Sequence, residues 1–223
     1  MPRGPRSEPG EQSRNRRERI LDAAFTTFVD RGYRETAMDD IASAAETSKG
    51  GVYFHFPTKE SIFRELMRTT SDKLVAKVER AVAEETDPVS RAEIALHTVL
   101  TTFSGHRTMA RLLFVDIAGS GRTFQAQANT LHARFAELIA GYLDEAVAQG
   151  AIPAIDTRVT SIAWFGALNE VVGRWLMAER PGRLEDAFPT LRAVLLRSVG
   201  VGEARIATMP PAQAPSGFPE AAG

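Results

Sequence analysis

Apolar residues recur at helical spacing through almost all of this 223-residue chain, and that period leaves little room for a sheet. Ile20, Leu21, Ala24, Phe25 and Phe28 form one stripe that ends at Arg31-Gly32. Thr36-Ala37-Met38-Asp39 resembles a capping box with Asp in place of Glu, and predicts a short helix through Ile41 and Ala45. A third short helix is predicted from about Ser48 to Phe56, stopped by Pro57. Thr58 is placed to N-cap a long fourth helix that reaches towards Ala83, before the break at Thr86-Asp87-Pro88. Five further helices are predicted near 89–105, 107–118, 122–149, 157–179 and 183–199, with Pro153, Pro181-Gly182 and Gly200 as punctuation and Gly150 suited to a C-cap. No strand alternation, hairpin dipeptide or internal repeat competes with this reading. The expected fold is all-α, with about nine helices.

Composition narrows the class. Hydrophobic residues at 43% and charged residues at 25% are globular values and exclude wholesale disorder. The chain has no cysteine, which excludes a disulfide scaffold, thiolate metal sites and a cysteine nucleophile. No apolar run approaches the roughly 18 residues that span a bilayer. The arginine-bearing N-terminus lacks the apolar stretch of a secretory signal. A soluble, cytoplasmic protein with no membrane partner is expected. Pro and Gly crowd residues 1–12, and four prolines stand among Ala and Gly in 203–223, so both ends are expected to be unstructured.

The net charge of −1 does not point to nucleic acid, but its distribution is uneven. Residues 1–19 hold six arginines against three glutamates, a local basic arm. Residues 36–56 then have the spacing of two short helices joined by a tight turn. Within them, Thr47-Ser48-Lys49-Gly50-Gly51-Val52-Tyr53 places two glycines in the first turn of a helix, at a cost of roughly 1 kcal/mol each relative to alanine. Glycine is useful there if another backbone must come close, and a helix N-terminus offers free N–H groups to phosphate. Lys49 and Tyr53 share one face, while Val52 and Phe56 can pack inward on the next. On these features alone, a solvated loop with incidental charge and a DNA-reading helix both remain open.

Residues 17–63, RERILDAAFTTFVDRGYRETAMDDIASAAETSKGGVYFHFPTKESIF, resemble the DNA-binding domain of the tetracycline-repressor (TetR) family of bacterial regulators. The resemblance rests on R-I-L-D-A-A, F-x-x-x-G-Y at 28–33, Thr36 ahead of Ile41-Ala42, S-K-G at 48–50 and Y-F-H-F-x-x-K-E at 53–60. It implies a domain of 13–60 that reads a palindromic double-stranded operator as a dimer, after a disordered basic arm over 1–12. It further implies a ligand-binding and dimerisation domain over 61–202, followed by a disordered tail over 203–223. By matching position, Thr36 would contact phosphate, and Ser48, Lys49, Gly50 and Gly51 would enter the major groove. Lys49 would read a guanine edge, Tyr53 and His55 would contact phosphate or a base methyl, and Lys59 would reach phosphate. Two departures stand out. Glu46 occupies the turn position where the family has glycine, and Thr47 replaces an apolar residue.

The C-terminal part matches by helix count and by FGALNEVVGRW, which resembles the dimerisation helices of some members. A homodimer is expected through Val172, Trp175, Leu191, Val194 and Leu195, with Gly166 and Gly173 allowing close approach; an ordinary monomeric core is the plain alternative. Asn169 and Asp116 interrupt apolar runs, as does Arg111. Asp116 and Asn169, with Phe103, Met109, Leu113 and Trp164, are candidate walls of a pocket for a mostly apolar small-molecule inducer, and equally plausible plain core. The resemblance implies that such a ligand shifts helix four and releases a repressor from DNA. The four histidines form no metal-ligand pattern, and no hydrolase elbow, P-loop or dinucleotide fingerprint occurs, so no metal, no cofactor and no enzyme activity are expected. The rival readings are a helical small-molecule-binding protein with a weakened DNA-binding head, motivated by Glu46, and an α-helical enzyme using the C-terminal cavity.

Overall fold

The computed structural model describes residues 9–114 and 122–208, with side chains described over 13–111 and 129–207. Ten α-helices and one 3-10 turn form the described residues, with no strand among them. In order they are α1 Pro9–Arg31, α2 Met38–Ala44, α3 Lys49–His55, α4 Lys59–Val82, α5 Pro88–Gly105, α6 Arg107–Phe114, α7 Arg122–Ala148, α8 Thr157–Met177, α9 Phe188–Ser198 and α10 Glu203–Thr208, with the 3-10 turn at Leu184–Ala187. The all-α expectation holds, with one helix more than foreseen. That helix is α10, in a stretch expected to be unstructured; it forms because Ile206 is buried against the core of the second unit. At the other end α1 already begins at Pro9, inside the stretch expected to be disordered, since proline suits a helix's first turn.

The chain divides into two compact units, 1–71 and 72–223, and the division falls within α4 rather than near its start at 60/61. In the first unit the predicted stripe of α1 is the core: Ile20, Ala24 and Phe28 are fully buried with Ile41 of α2, Val52 of α3 and Ile62 of α4. Phe28, Tyr33 and Phe63 meet in tilted and edge-on ring contacts, with centroids 5.0 to 5.8 Å apart. Truncating such a residue to alanine costs about 3–5 kcal/mol. The cap of α2 is displaced by one residue from the expected one. Ala37 is the N-cap, and its N–H donates to the Asp40 carboxylate at 2.8 Å.

In the second unit Val89, Leu143, Ala146, Trp164, Leu195, Leu196, Val199 and Ile206 close a core between α5, α7, α8, α9 and α10. The Trp164 indole N–H donates to Ser198 Oγ at 3.0 Å. Gly150 ends α7 at φ 70°, the left-handed conformation that favours glycine there.

Candidate DNA-reading head and ligand cavity

The turn between α2 and α3 is closed by the Thr47 N–H donating to the Ala42 carbonyl at 3.0 Å and the Glu46 N–H donating to Ser43 at 3.2 Å. Glu46 stands at φ 50°, so a side chain occupies a left-handed position at a cost of about 1 kcal/mol or more. Ser48 then caps α3, its hydroxyl oxygen accepting from the Gly51 N–H at 3.1 Å. The two glycines have different reasons. A Cβ on Gly51 would lie 2.7 Å from Thr47 Oγ1, so glycine there lets the Thr47 hydroxyl keep its place over the first turn of α3. Around Gly50 the space is open, which leaves room for an external backbone.

Burial sorts the side chains of α3 as expected. Val52 and Phe56 pack into the core, whereas Tyr53 is 44% exposed. Phe54, which the spacing argument passed over, is 82% exposed and meets His55 edge-on at 5.1 Å. Its signal was available: in Val52-Tyr53-Phe54-His55-Phe56 the two inward residues are four apart, which turns Phe54 away from the core. Burial, with Arg16 and Arg17 nearby, holds the His55 imidazole below its usual pKa. The Lys49 ammonium lies 2.9 Å from the carboxylate of Asp39 on α2, and both side chains are exposed.

Two residues expected at phosphate are placed differently. The Lys59 ammonium donates to the carbonyls of Tyr33 at 2.7 Å, Arg34 at 3.1 Å and Thr36 at 2.7 Å, which uses all three of its protons. It also sits 4.6 Å from the centroid of the Tyr33 ring. Lys59 therefore holds the loop between α1 and α2. The Thr36 hydroxyl is buried and donates to the Gly32 carbonyl at 2.8 Å, tying down the C-terminal end of α1. Another anchor escaped the sequence reading: Glu65 accepts from Arg68 and Arg17, each at 2.8 Å, and these bonds hold its pKa down at about 2.

The second unit holds an apolar cavity that opens to solvent at one mouth. Phe103 of α5 and Trp164 and Asn169 of α8 line it, as expected, together with Leu74 and Val78 of α4 and Tyr142 of α7. Met109 of α6 is not among the lining residues. Asp116 and the side chain of Leu113 lie outside the described residues. One buried ion pair stands in this wall, between Glu93 of α5 and Arg192 of α9. Both interrupt apolar stripes in the sequence, the signal by which they were findable. Among the described residues no group of three His, Asp or Glu side chains is placed to hold a metal, and no helix is long and apolar enough to cross a membrane.

The residues expected at a dimer interface separate into two sets. Val172, Leu191 and Leu195 are buried within the protomer, because the faces of α8 and α9 that carry them build its own core. Trp175 is tied down as well, its indole N–H donating to the Gly182 carbonyl at 2.7 Å with the Arg107 guanidinium over the ring. Val194 is 54% exposed, and α8 exposes Val159, Ile162 and Met177. An added Cβ at Gly166 or Gly173 would meet only open space.

A tight turn, a capped seven-residue helix with an outward polar and aromatic face, and a separate helical unit built around a cavity define a helix-turn-helix regulator. Residues 20–66 match the family model for bacterial regulatory proteins of the tetR family, and residues 63–197 match the YsiA-like C-terminal region. The chain belongs to the TetR family of transcriptional regulators, a non-enzymatic family. It is 33% identical over 141 residues to the HTH-type transcriptional repressor KstR2 of Rhodococcus jostii strain RHA1, covering 60% of this chain and 67% of the relative. Its fold is that of FadR from Bacillus subtilis, solved in complex with stearoyl-CoA, at a TM-score of 0.74 and 21% identity over 82% of this chain and 97% of that one. AibR, solved with isovaleryl coenzyme A and operator DNA, superposes with a TM-score of 0.63 at 21% identity, over 80% and 97%.

Proposed function

We propose that this regulator is a cytoplasmic repressor that binds a palindromic operator as a homodimer and is released by an acyl thioester of coenzyme A. The observation that carries the ligand class is the cavity, whose walls from α4, α5, α7, α8 and α9 are apolar apart from Tyr142, Asn169 and the Glu93–Arg192 pair. An acyl chain is the matching chemistry, and two proteins of this fold were solved with acyl-CoA ligands. An occupant meets Leu74 and Val78 on α4, the helix whose first turn carries Lys59. A tenfold loss of operator affinity needs only about 1.4 kcal/mol of differential binding between the two states.

The dimer face is the exposed apolar strip of Val159, Ile162, Gly166 and Met177 on α8 with Val194 on α9. Of the residues expected there by resemblance it keeps Val194, since Val172, Leu191 and Leu195 are buried within the protomer. On DNA, α3 enters the major groove by its N-terminal end, with Ser48, Lys49, Gly50 and Tyr53 towards the bases and phosphates. Phe54 adds an apolar surface suited to a thymine methyl.

The test begins with purified full-length protein and selection from a random duplex pool. A palindromic site is expected, bound less tightly by Tyr53→Ala and Lys49→Ala while the dimer persists. Titration of the bound duplex with coenzyme A alone and with saturated acyl-CoAs of increasing chain length should give release by an acylated member and none by coenzyme A. Selection without a palindrome contradicts the operator reading, and retention of DNA throughout the acyl series contradicts the ligand class.

A further inference from the structure

Asp39 and Asp40 are neighbours at the start of α2 but have different duties. Asp40 is structural: it accepts from the Ala37 N–H and pairs with Arg31, each at 2.8 Å. The Asp39 side chain does neither. It reaches across to α3 and accepts from the Lys49 ammonium at 3.0 Å, with both groups exposed on the surface that carries the reading helix. An exposed ion pair of this kind adds little to stability. Its effect on DNA binding is larger. A free lysine at the N-terminus of α3 would go to the nearest phosphate of any duplex, and such contacts supply essentially all non-specific affinity. A lysine held by a carboxylate presents no net charge to the backbone. It retains N–H donors for a guanine edge, while the carboxylate itself can accept from a cytosine amino group.

We propose that Asp39 is a specificity-determining residue of the DNA interface: it withholds Lys49 from phosphate and, with it, reads a G·C pair. This rests on the DNA-binding reading given above. The carboxylate repels phosphate wherever the sequence offers no base donor, so Asp39 lowers affinity for wrong sites more than for the operator. The reading head thus discriminates by a charge that opposes DNA, not only by charges that attract it.

The experiment measures binding of full-length protein to the selected duplex and to a scrambled duplex of equal length, across a salt series. Asp39→Asn should bind the scrambled duplex more tightly, with a salt slope steeper by about 0.9 as Lys49 gains a phosphate. Its operator-to-scrambled ratio should fall by about three- to tenfold. In a Lys49→Met background the same substitution should change the slope far less, since only the repulsion by the carboxylate is then removed, and Asp39→Glu, which keeps the charge, should keep most of the ratio. An unchanged slope and ratio in Asp39→Asn, or an equal slope change with and without Lys49, overturns the proposal while leaving the DNA reading intact. Salt-independent binding by the unaltered protein overturns both.

Discussion

In the first unit Lys49, Tyr53 and Phe54 face solvent over a core closed by Ile20, Phe28, Ile41 and Val52, whereas in the second the distinctive groups, Glu93, Arg192 and Asn169, line a cavity. The difference follows from what each unit must meet. A duplex is larger than the unit and is approached from outside, so the reading groups sit on a short helix whose far face is anchored. A ligand that is to be taken out of water on most sides needs a site built from several helices that stop short of complete packing. The first unit resists change in its core; the second carries an unfilled core as its working part.

That contrast can be broken from outside the reading head. Ile162→Arg puts a charge on the exposed strip of α8 and should convert the proposed dimer to monomer, since an unpaired charge in an interface costs several kcal/mol. Sedimentation should show the monomer, operator affinity should fall by about 100-fold or more, and thermal unfolding of the protomer should hardly move. Lys59→Met tests the head from within. Three carbonyls lose their donor, and a loss of about 2–4 kcal/mol in urea unfolding is expected together with loss of operator binding. A pure phosphate contact would instead weaken binding and leave stability unchanged.

Glu65 sharpens the comparison by pH. Its folded-state pKa is held at about 2, below the ordinary carboxylate value of 4.5. Between these values the unfolded chain binds more protons than the folded one, so this contribution is full above about pH 4.5 and is lost as pH falls towards 2. Glu65→Gln should cost ~1–3 kcal/mol at neutral pH and flatten that acid limb, read by unfolding at pH 3 and pH 7. Glu46→Gly has the smallest effect. It removes a left-handed side chain and one negative charge beside the reading helix, so stability should rise by about 1 kcal/mol. Operator affinity should rise with it, seen in the same duplex titration.

The reading head was legible because its signals are local. Ser48 as the cap of α3, Val52 and Phe56 turned inward, and the strained turn at Glu46 all follow from neighbours within a few residues. The hold on Lys59 was not legible for the opposite reason: the carbonyls that accept from it belong to residues more than twenty positions earlier in the chain. Which apolar residues of α8 and α9 are buried in the protomer, as Val172, Leu191 and Leu195 are, and which stay exposed, as Ile162 and Val194 do, was not legible because α8 is apolar almost all round and periodicity alone does not separate its faces. The cavity was legible only in pieces, through Phe103, Trp164 and Asn169.

By itself the sequence determined the helices, most of their ends and the helix-turn-helix, because period, caps and turn residues act over one or two turns. The tertiary structure decided which apolar surface is core, wall or exposed strip, and it decided the partners of Lys59, Thr36, Asp39 and Glu65. Those depend on which distant backbone or charge lies within about 3 Å of a side chain. Spacing along the chain carries no such distance until the helices have packed.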